Sequence, residues 1–357
     1  MSTPAEPDAQ VQAWCHDLAR HGEHEPRIAA LGSAAIAGLR AVLAAPPEAV
    51  NAARLFAVSM LARLPQDAAR SALRETLYHP ALHTLAPPIA EAERAVKSAA
   101  LDALARRDGA AVEQDLAWAL HTARLPQAAV LAGRLHLHAL APMLAQDLDD
   151  DVLAMPAADA LAAMPAVALP ALSTLLPQWL AATGQMRARR AALRALRLYA
   201  ALGACPALAD WRRAWHADVP ALRAAAALCA LPAHTRPALL GALLEGALLP
   251  DAALADACRS ALQAQPRWPL HLLFVALRLL RHGVPDAYGD RQSLARAARV
   301  WLGASLLDHV GAHRPQLLQR LPAELIAAGL AGGATLDAAQ RRALHAHPQT
   351  ARLRPPR

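Results

Sequence analysis

Apolar residues recur along most of this chain at intervals of three and four, and prolines interrupt the recurrence. Runs of about 11–18 residues with apolar positions at i, i+3, i+4 and i+7 are typical of amphipathic α-helices. Because short proline-containing turns separate the runs, we expect consecutive helices to pack as antiparallel pairs. The predicted pairs are 34–44 with 47–63, 67–78 with 89–107, 111–122 with 126–140, 167–182 with 186–202, 205–216 with 219–230, 235–248 with 251–264, and 268–282 with 290–307. A less regular pair is expected across 141–164.

A short pattern repeats in the second helix of three of these pairs. It begins with a basic residue, Arg54, Lys97 or Arg189, which an alanine follows at the third position and a leucine at the seventh. We expect the small residues to lie where two helices cross closely, the leucine to face the next repeat, and the base to be solvated. The aligned apolar positions are Ala57, Ala100 and Ala192, then Met60, Ala103 and Ala195, then Leu61, Leu104 and Leu196.

This pattern resembles the second helix of HEAT-type repeats, which commonly reads V-R-x-x-A-x-x-A-L and recurs about every 40–47 residues. The resemblance covers residues 30–310; it is strongest near 91–107 and poor across 141–164. It implies an all-α fold, a right-handed α-α superhelix (HEAT-like or armadillo-type solenoid) of about seven or eight antiparallel helix pairs. A plain α-helical bundle is the alternative. The expected organisation is an N-terminal helix or cap at 1–27, the solenoid at 28–328, and a flexible segment with a short helix and an Arg/Pro tail at 329–357.

Composition agrees with an extended helical stack. Hydrophobic residues make up 55% of the chain but aromatic residues only 3%, so strands are not expected. The length of 357 residues exceeds what one core usually supports, about 250–300 residues, whereas a stack of repeats has no such limit. Lys97 is the single lysine among 36 basic residues, which is typical of codon bias in a GC-rich, bacterial genome.

The net charge of +7 is unevenly distributed, and its basic extreme contains one helix with a stripe of arginines. Residues 1–180 carry 13 basic and 19 acidic side chains, and residues 181–357 carry 23 basic and 10 acidic ones. Arg187, Arg190, Arg194 and Arg197 follow i, i+3, i+7 and i+10, which places them on one helix face. Such a stripe is either a solvated outer face or a docking face for an acidic protein, nucleic acid or anionic lipid.

Aromatic and basic residues alternate shortly after the stripe, in Trp211, Arg212, Arg213 and Trp215. This arrangement can bind nucleic acid, although two tryptophans at i and i+4 more often anchor a core. Some HEAT-like folds are DNA glycosylases, but neither Trp215 with Asp218 nor Trp14 with Asp17 lies in a matching motif. We therefore assign no catalytic residue by this resemblance.

Sequence motifs for catalysis and metal binding are absent. No P-loop, nucleophile elbow, H-E-x-x-H or dinucleotide-binding motif occurs, so we expect neither an enzyme nor a cofactor. His309 and His313 have chelating spacing, but no third ligand lies at motif spacing, so no metal is expected. The four cysteines are far apart and read as buried free thiols of a reducing compartment, which suggests a cytoplasmic protein.

One charge-free segment, residues 160–186, is apolar enough to suggest a membrane helix. Its prolines, Pro165, Pro170 and Pro177, are expected to break it into short helices, so a membrane partner is not expected. The sequence as a whole predicts a non-enzymatic scaffold or adaptor that binds a protein with an acidic patch. Nucleic-acid binding through the basic C-terminal half is the alternative, and membrane association is the third.

Overall fold

The computed structural model of the chain describes residues 7–230, 237–249, 251–264, 268–285, 291–292, 296–314, 317–318, 321, 323–332, 334 and 337–345. These residues are almost entirely helical, as the hydrophobic pattern predicts. Their contacts divide the chain into two compact units, Met1–Gln178 and Trp179–Arg357, which are described separately below.

The first unit consists of short helices joined by tight turns. Single 3-10 turns extend several of the helices, and a π-helical turn at Ala119–Ala123 follows α7. The helices are α1 Pro7–His16, α2 His21–Leu31, α3 Ile36–Ala44, α4 Ala52–Arg63, α5 Asp67–Tyr78, α6 Pro87–Asp108, α7 Glu113–Trp118, α8 Pro126–Arg134, α9 Ala141–Gln146, α10 Ala154–Ala162 and α11 Pro165–Ala181, whose last residues pass into the second unit.

The second unit repeats this design and contains one short non-helical pairing. Val284–Pro285 and Arg291–Gln292 form a two-residue antiparallel ladder, which the sequence did not predict. The helices are α12 Met186–Ala201, α13 Leu208–Trp215, α14 Pro220–Cys229, α15 Pro237–Gly246, α16 Ala252–Gln263, α17 Leu270–His282, α18 Arg296–His313, α19 Ala323–Ala331 and α20 Ala338–His345.

Neighbouring helices pair in sequence order, and second helices also pack on each other. The pairs α3 with α4, α5 with α6, α7 with α8, α13 with α14, α15 with α16 and α17 with α18 are in contact, which confirms those six predicted pairings. In the first unit α4 packs on α6, α6 on α8 and α8 on α10. In the second unit α12 packs on α14 and α14 on α16. These contacts make a row of second helices from α4 to α10 in the first unit and from α12 to α16 in the second.

The apolar residues of the repeated pattern are buried on the second helices, which pack on each other. Ala57, Ala100 and Ala192 are fully buried, and so are Leu61, Leu104 and Leu196. The middle positions, Met60, Ala103 and Ala195, are also buried. Alanines at these positions allow the backbones of adjacent helices to approach closely, while the leucines fill the space between them.

The prediction that prolines break the charge-free segment was correct for Pro165, because α10 ends before it at Ala162, and wrong for Pro170 and Pro177. Pro165 begins α11, and the helix then continues through Pro170 and Pro177. A proline removes one backbone hydrogen bond and leaves the carbonyl four residues earlier without its donor. Those carbonyls belong to Ala166 and Ser173, which are exposed to solvent, so water can satisfy them.

The C-terminal region also differs in part from the prediction. Gly329 was expected in a flexible break, but it lies in α19, where an added Cβ would meet Leu307 of α18. The glycine therefore permits close packing. The short helix expected in this segment is α20, and Asp337 and Gln340 cap its start reciprocally. The tail predicted at 352–357 lies outside the described residues.

Candidate functional site

Helix α12 has one apolar face, which is buried, and one basic face. Ala191, Ala195 and Leu196 lie in the interior of the second unit. The four predicted arginines span about 15 Å along the helix axis within an arc of about 80°. Arg187, Arg190 and Arg197 are exposed and Arg194 is half-buried.

The four arginines are not equivalent. Arg190 and Arg194, in the middle of the stripe, are already engaged by other groups of the chain. Arg187 and Arg197 are exposed at the two ends of the stripe. Arg189, the base of the repeated pattern, lies off the stripe and donates from Nε to the carbonyl of Thr183 at 3.1 Å. A ligand that approaches this face would therefore first meet Arg187 and Arg197.

The tryptophans of the predicted aromatic and basic cluster belong to the interior. Trp211 and Trp215 are buried and stack on each other with ring centroids 5.2 Å apart. The indole N–H of Trp211 donates to the carbonyl of Ala226 at 2.7 Å. Because both rings are covered, they offer no stacking platform to a base in this structure. Arg212 and Arg213 are exposed, and Arg213 forms an ion pair with Asp210 at 3.6 Å.

The bases of the repeated pattern were expected to be solvated, and two of the three are buried. Arg54 is 5% exposed and donates to the carbonyls of Leu43 at 2.5 Å and Ala45 at 2.7 Å, at the end of α3. Lys97 is 0% exposed and donates to the carbonyls of Thr76 at 3.0 Å and Leu77 at 2.7 Å, at the end of α5. Each base thus satisfies the last carbonyls of the preceding helix, which have no partner within that helix.

One buried carboxylate connects these two bases. Glu93 accepts from Arg54 Nη2 at 2.9 Å and from Asn51 Nδ2 at 3.3 Å, and it lies one helical turn before Lys97. Burial lowers the pKa of Lys97 to about 8, against the opposing effect of Glu93. The sequence contained one signal for this network, an acidic residue four positions before the base within the best copy of the pattern.

The first unit contains an acidic segment, Asp147, Asp149, Asp150 and Asp151, which is partly buried. Arg124, which adopts a left-handed backbone conformation (φ 51°) after the π-helical turn, forms an ion pair with Asp150. Asp150 also accepts hydrogen bonds from the backbone N–H groups of Val152 and Leu153 at 2.8 Å. Burial raises the pKa of Asp147 to about 6. Asp150 is therefore held by hydrogen bonds within the first unit and is not a free acidic group.

The described residues contain no group of three or more His, Cys, Asp and Glu side chains that could hold a metal ion. His309 stacks on Trp268 with centroids 4.5 Å apart, and its Nδ1 lies 2.9 Å from the Ser305 carbonyl oxygen. Cys15 and Cys258 are buried, and burial raises their pKa to about 11 and about 12, which disfavours the reactive thiolate.

The helical stretch that meets the length and hydropathy criteria for a membrane span is not residues 160–186, the candidate from the sequence. Among the described residues, one helical stretch, Leu18–Ala44, is long and apolar enough to cross a membrane. Buried helices of soluble proteins and signal sequences pass the same test. Comparison of the sequence with protein-family models and with curated proteins finds no match.

Proposed function

We propose that this protein is a non-enzymatic interaction scaffold built from HEAT-like helix pairs, and that the basic face of α12 binds an acidic protein. The proposal is supported by the row of second helices within each unit, since stacked pairs form extended surfaces. The right-handed superhelix that the resemblance to HEAT-type repeats implies belongs to the same proposal.

The observation that carries the binding proposal is the exposure of Arg187 and Arg197 on a helix whose opposite face is fully packed. Alanine and leucine anchor α12 in the unit, so its basic face is held in place before any partner arrives. Long arginine side chains with exposed guanidinium groups form two parallel hydrogen bonds to a carboxylate. A partner with carboxylates spaced about 15 Å apart would meet both ends of the stripe.

The test compares two matched double variants. Arg187→Gln with Arg197→Gln removes two exposed charges from α12, and Arg27→Gln with Arg106→Gln removes two exposed charges from the first unit. Binding of a fluorescent polyglutamate peptide is measured by anisotropy at two salt concentrations. We expect the α12 variant to bind the peptide at least fivefold more weakly than the wild type, because each lost charge pair contributes about 0.5 kcal/mol. The control variant should bind the peptide like the wild type.

Equal losses in the two variants would show that only net charge matters and would refute a specific face. A duplex DNA of equal total charge serves as the second probe. If it binds more tightly than polyglutamate, with an affinity that falls steeply as salt rises, the nucleic-acid alternative is correct. The burial of Trp211 and Trp215 makes us expect the opposite order.

A further inference from the structure

A cleft of about 660 Å³ opens in the first unit between the C-terminal ends of α3 and α5. Its volume is within the range of small-molecule sites, about 300–1,000 Å³. One wall is apolar and consists mainly of alanines and the pair Pro46–Pro47. The polar side chains of the lining are Arg40, Glu75, Thr76 and His79.

The charged pair at the cleft uses only part of its hydrogen-bonding capacity. Arg40 donates from both Nε and Nη2 to one oxygen of Glu75, Oε2, at 3.0 and 2.7 Å. Within the described part of the chain, Arg40 Nη1 and Glu75 Oε1 make no hydrogen bond. The side chains are 52% and 55% exposed. An anionic group can therefore bind Arg40 while a cationic group binds Glu75 beside it. The ion pair between the two side chains stays intact.

The buried network of Arg54, Glu93 and Lys97 holds the backbone of both cleft walls in place. Leu43 and Ala45 line the cleft, and Arg54 holds their carbonyls. Thr76 lines the opposite wall, and Lys97 holds its carbonyl. Two buried cations thus set the separation of the walls before a ligand binds, and a preformed site loses less conformational entropy on binding.

We propose that this cleft binds a small zwitterion of the α-amino-acid type with an apolar side chain. Its carboxylate would bind Arg40, its ammonium group would bind Glu75, and its side chain would lie against Pro46 and Pro47. The two charged groups of an α-amino acid are attached to one carbon, so a small ligand of this type presents both charges to two adjacent side chains. This site is independent of the α12 face, and neither proposal depends on the other.

The first test uses the wild-type protein and three probes. L-leucine, N-acetyl-L-leucine without the ammonium group, and L-leucinamide without the carboxylate are titrated by isothermal calorimetry. We expect saturable binding of leucine and about tenfold weaker binding of each analogue, because each loses one charge-assisted contact. Absence of saturable leucine binding, or equal binding of the three probes, would overturn the proposal.

The second test locates the site with a matched pair of variants. Arg40→Gln with Glu75→Gln removes the ion pair of the cleft, and Arg63→Gln with Glu25→Gln removes another exposed arginine–glutamate pair that does not line it. We expect the first variant to lose at least tenfold in leucine affinity and the second to retain it. Equal affinity in both variants would contradict the assignment. Circular dichroism checks that each variant is folded. The titrations of the wild-type protein test the proposal even if a variant fails to fold.

Discussion

Replacing Lys97 by methionine tests the buried network most directly. Methionine keeps the apolar stem but removes the ammonium group, so the carbonyls of Thr76 and Leu77 lose their donor. Each buried carbonyl left without a partner costs about 1–3 kcal/mol. The charged lysine itself carries a cost, because the pKa falls from 10.5 to about 8 on folding. That shift corresponds to about 3 kcal/mol at neutral pH.

Because these two contributions oppose each other at pH 7, pH dependence is the clearer observable. A lysine whose pKa is lower in the folded state binds fewer protons there than in the unfolded state between pH 8 and 10.5. Stability from this group therefore rises with pH in that window. The free energy of unfolding of the wild type, minus that of Lys97→Met, should increase by about 2 kcal/mol from pH 7 to 9.5.

The assay is urea denaturation of both proteins across this pH range, followed by far-ultraviolet circular dichroism. The subtraction matters, because burial also raises the pKa of Tyr78 to about 12 and that of Cys15 to about 11, and both groups lower stability at alkaline pH. These groups are present in both proteins and cancel. A difference that stays constant or decreases with pH would refute the reasoning that Lys97 is held as a buried cation.

Further predictions concern packing and a second buried charge. Gly246→Ala should destabilise the protein by about 1–3 kcal/mol, because its Cβ would lie 2.5 Å from a ring carbon of Trp215. Gly241→Ala on the same helix meets nothing within 4 Å and should be neutral or stabilising by up to about 1 kcal/mol; thermal unfolding compares the two. Asp147→Asn should stabilise by about 1–2 kcal/mol at pH 7, because burial raises this carboxyl's pKa to about 6. In denaturation from pH 3 to 8, the gain should appear between about pH 4 and 6; a pH-independent gain would contradict it.

The positions of most helices could be predicted from sequence because their causes are local. Residues 67–78 were predicted as a helix and form α5 with the same bounds. The start of the last helix also has a local cause, because the carboxylate of Asp337 accepts from the N–H of Gln340. Periodicity and capping involve residues a few positions apart, so a single sequence contains them.

The burial of the repeated bases could not be predicted in this way. Arg54 is paired with Glu93, which comes from another helix 39 residues later. Whether a base on the second helix of a pair meets water or the end of the preceding helix depends on how the two helices are joined. The pattern of small and apolar residues is the same in both cases, since Arg189 keeps the pattern and remains exposed.

The candidate sites were predictable to different degrees. The exposure of Arg187 and Arg197 follows from helical spacing opposite a row of alanines. The cleft between α3 and α5 gave no sequence signal, because Arg40 and Glu75 lie 35 residues apart on different helices. Pro46–Pro47, part of its apolar wall, lies in one of the short proline-containing turns between helices.

The buried position of Lys97 has a practical consequence for labelling. Lys97 is the single lysine of the printed sequence and is fully buried, so the folded protein offers amine-specific reagents no lysine side chain from this sequence. Amine-specific labelling should therefore leave the side chains of the arginine face and of the cleft unmodified. Acylation of Lys97 would require the first unit to open around it, so the modified fraction of its peptide in mass spectrometry would measure how often this region opens.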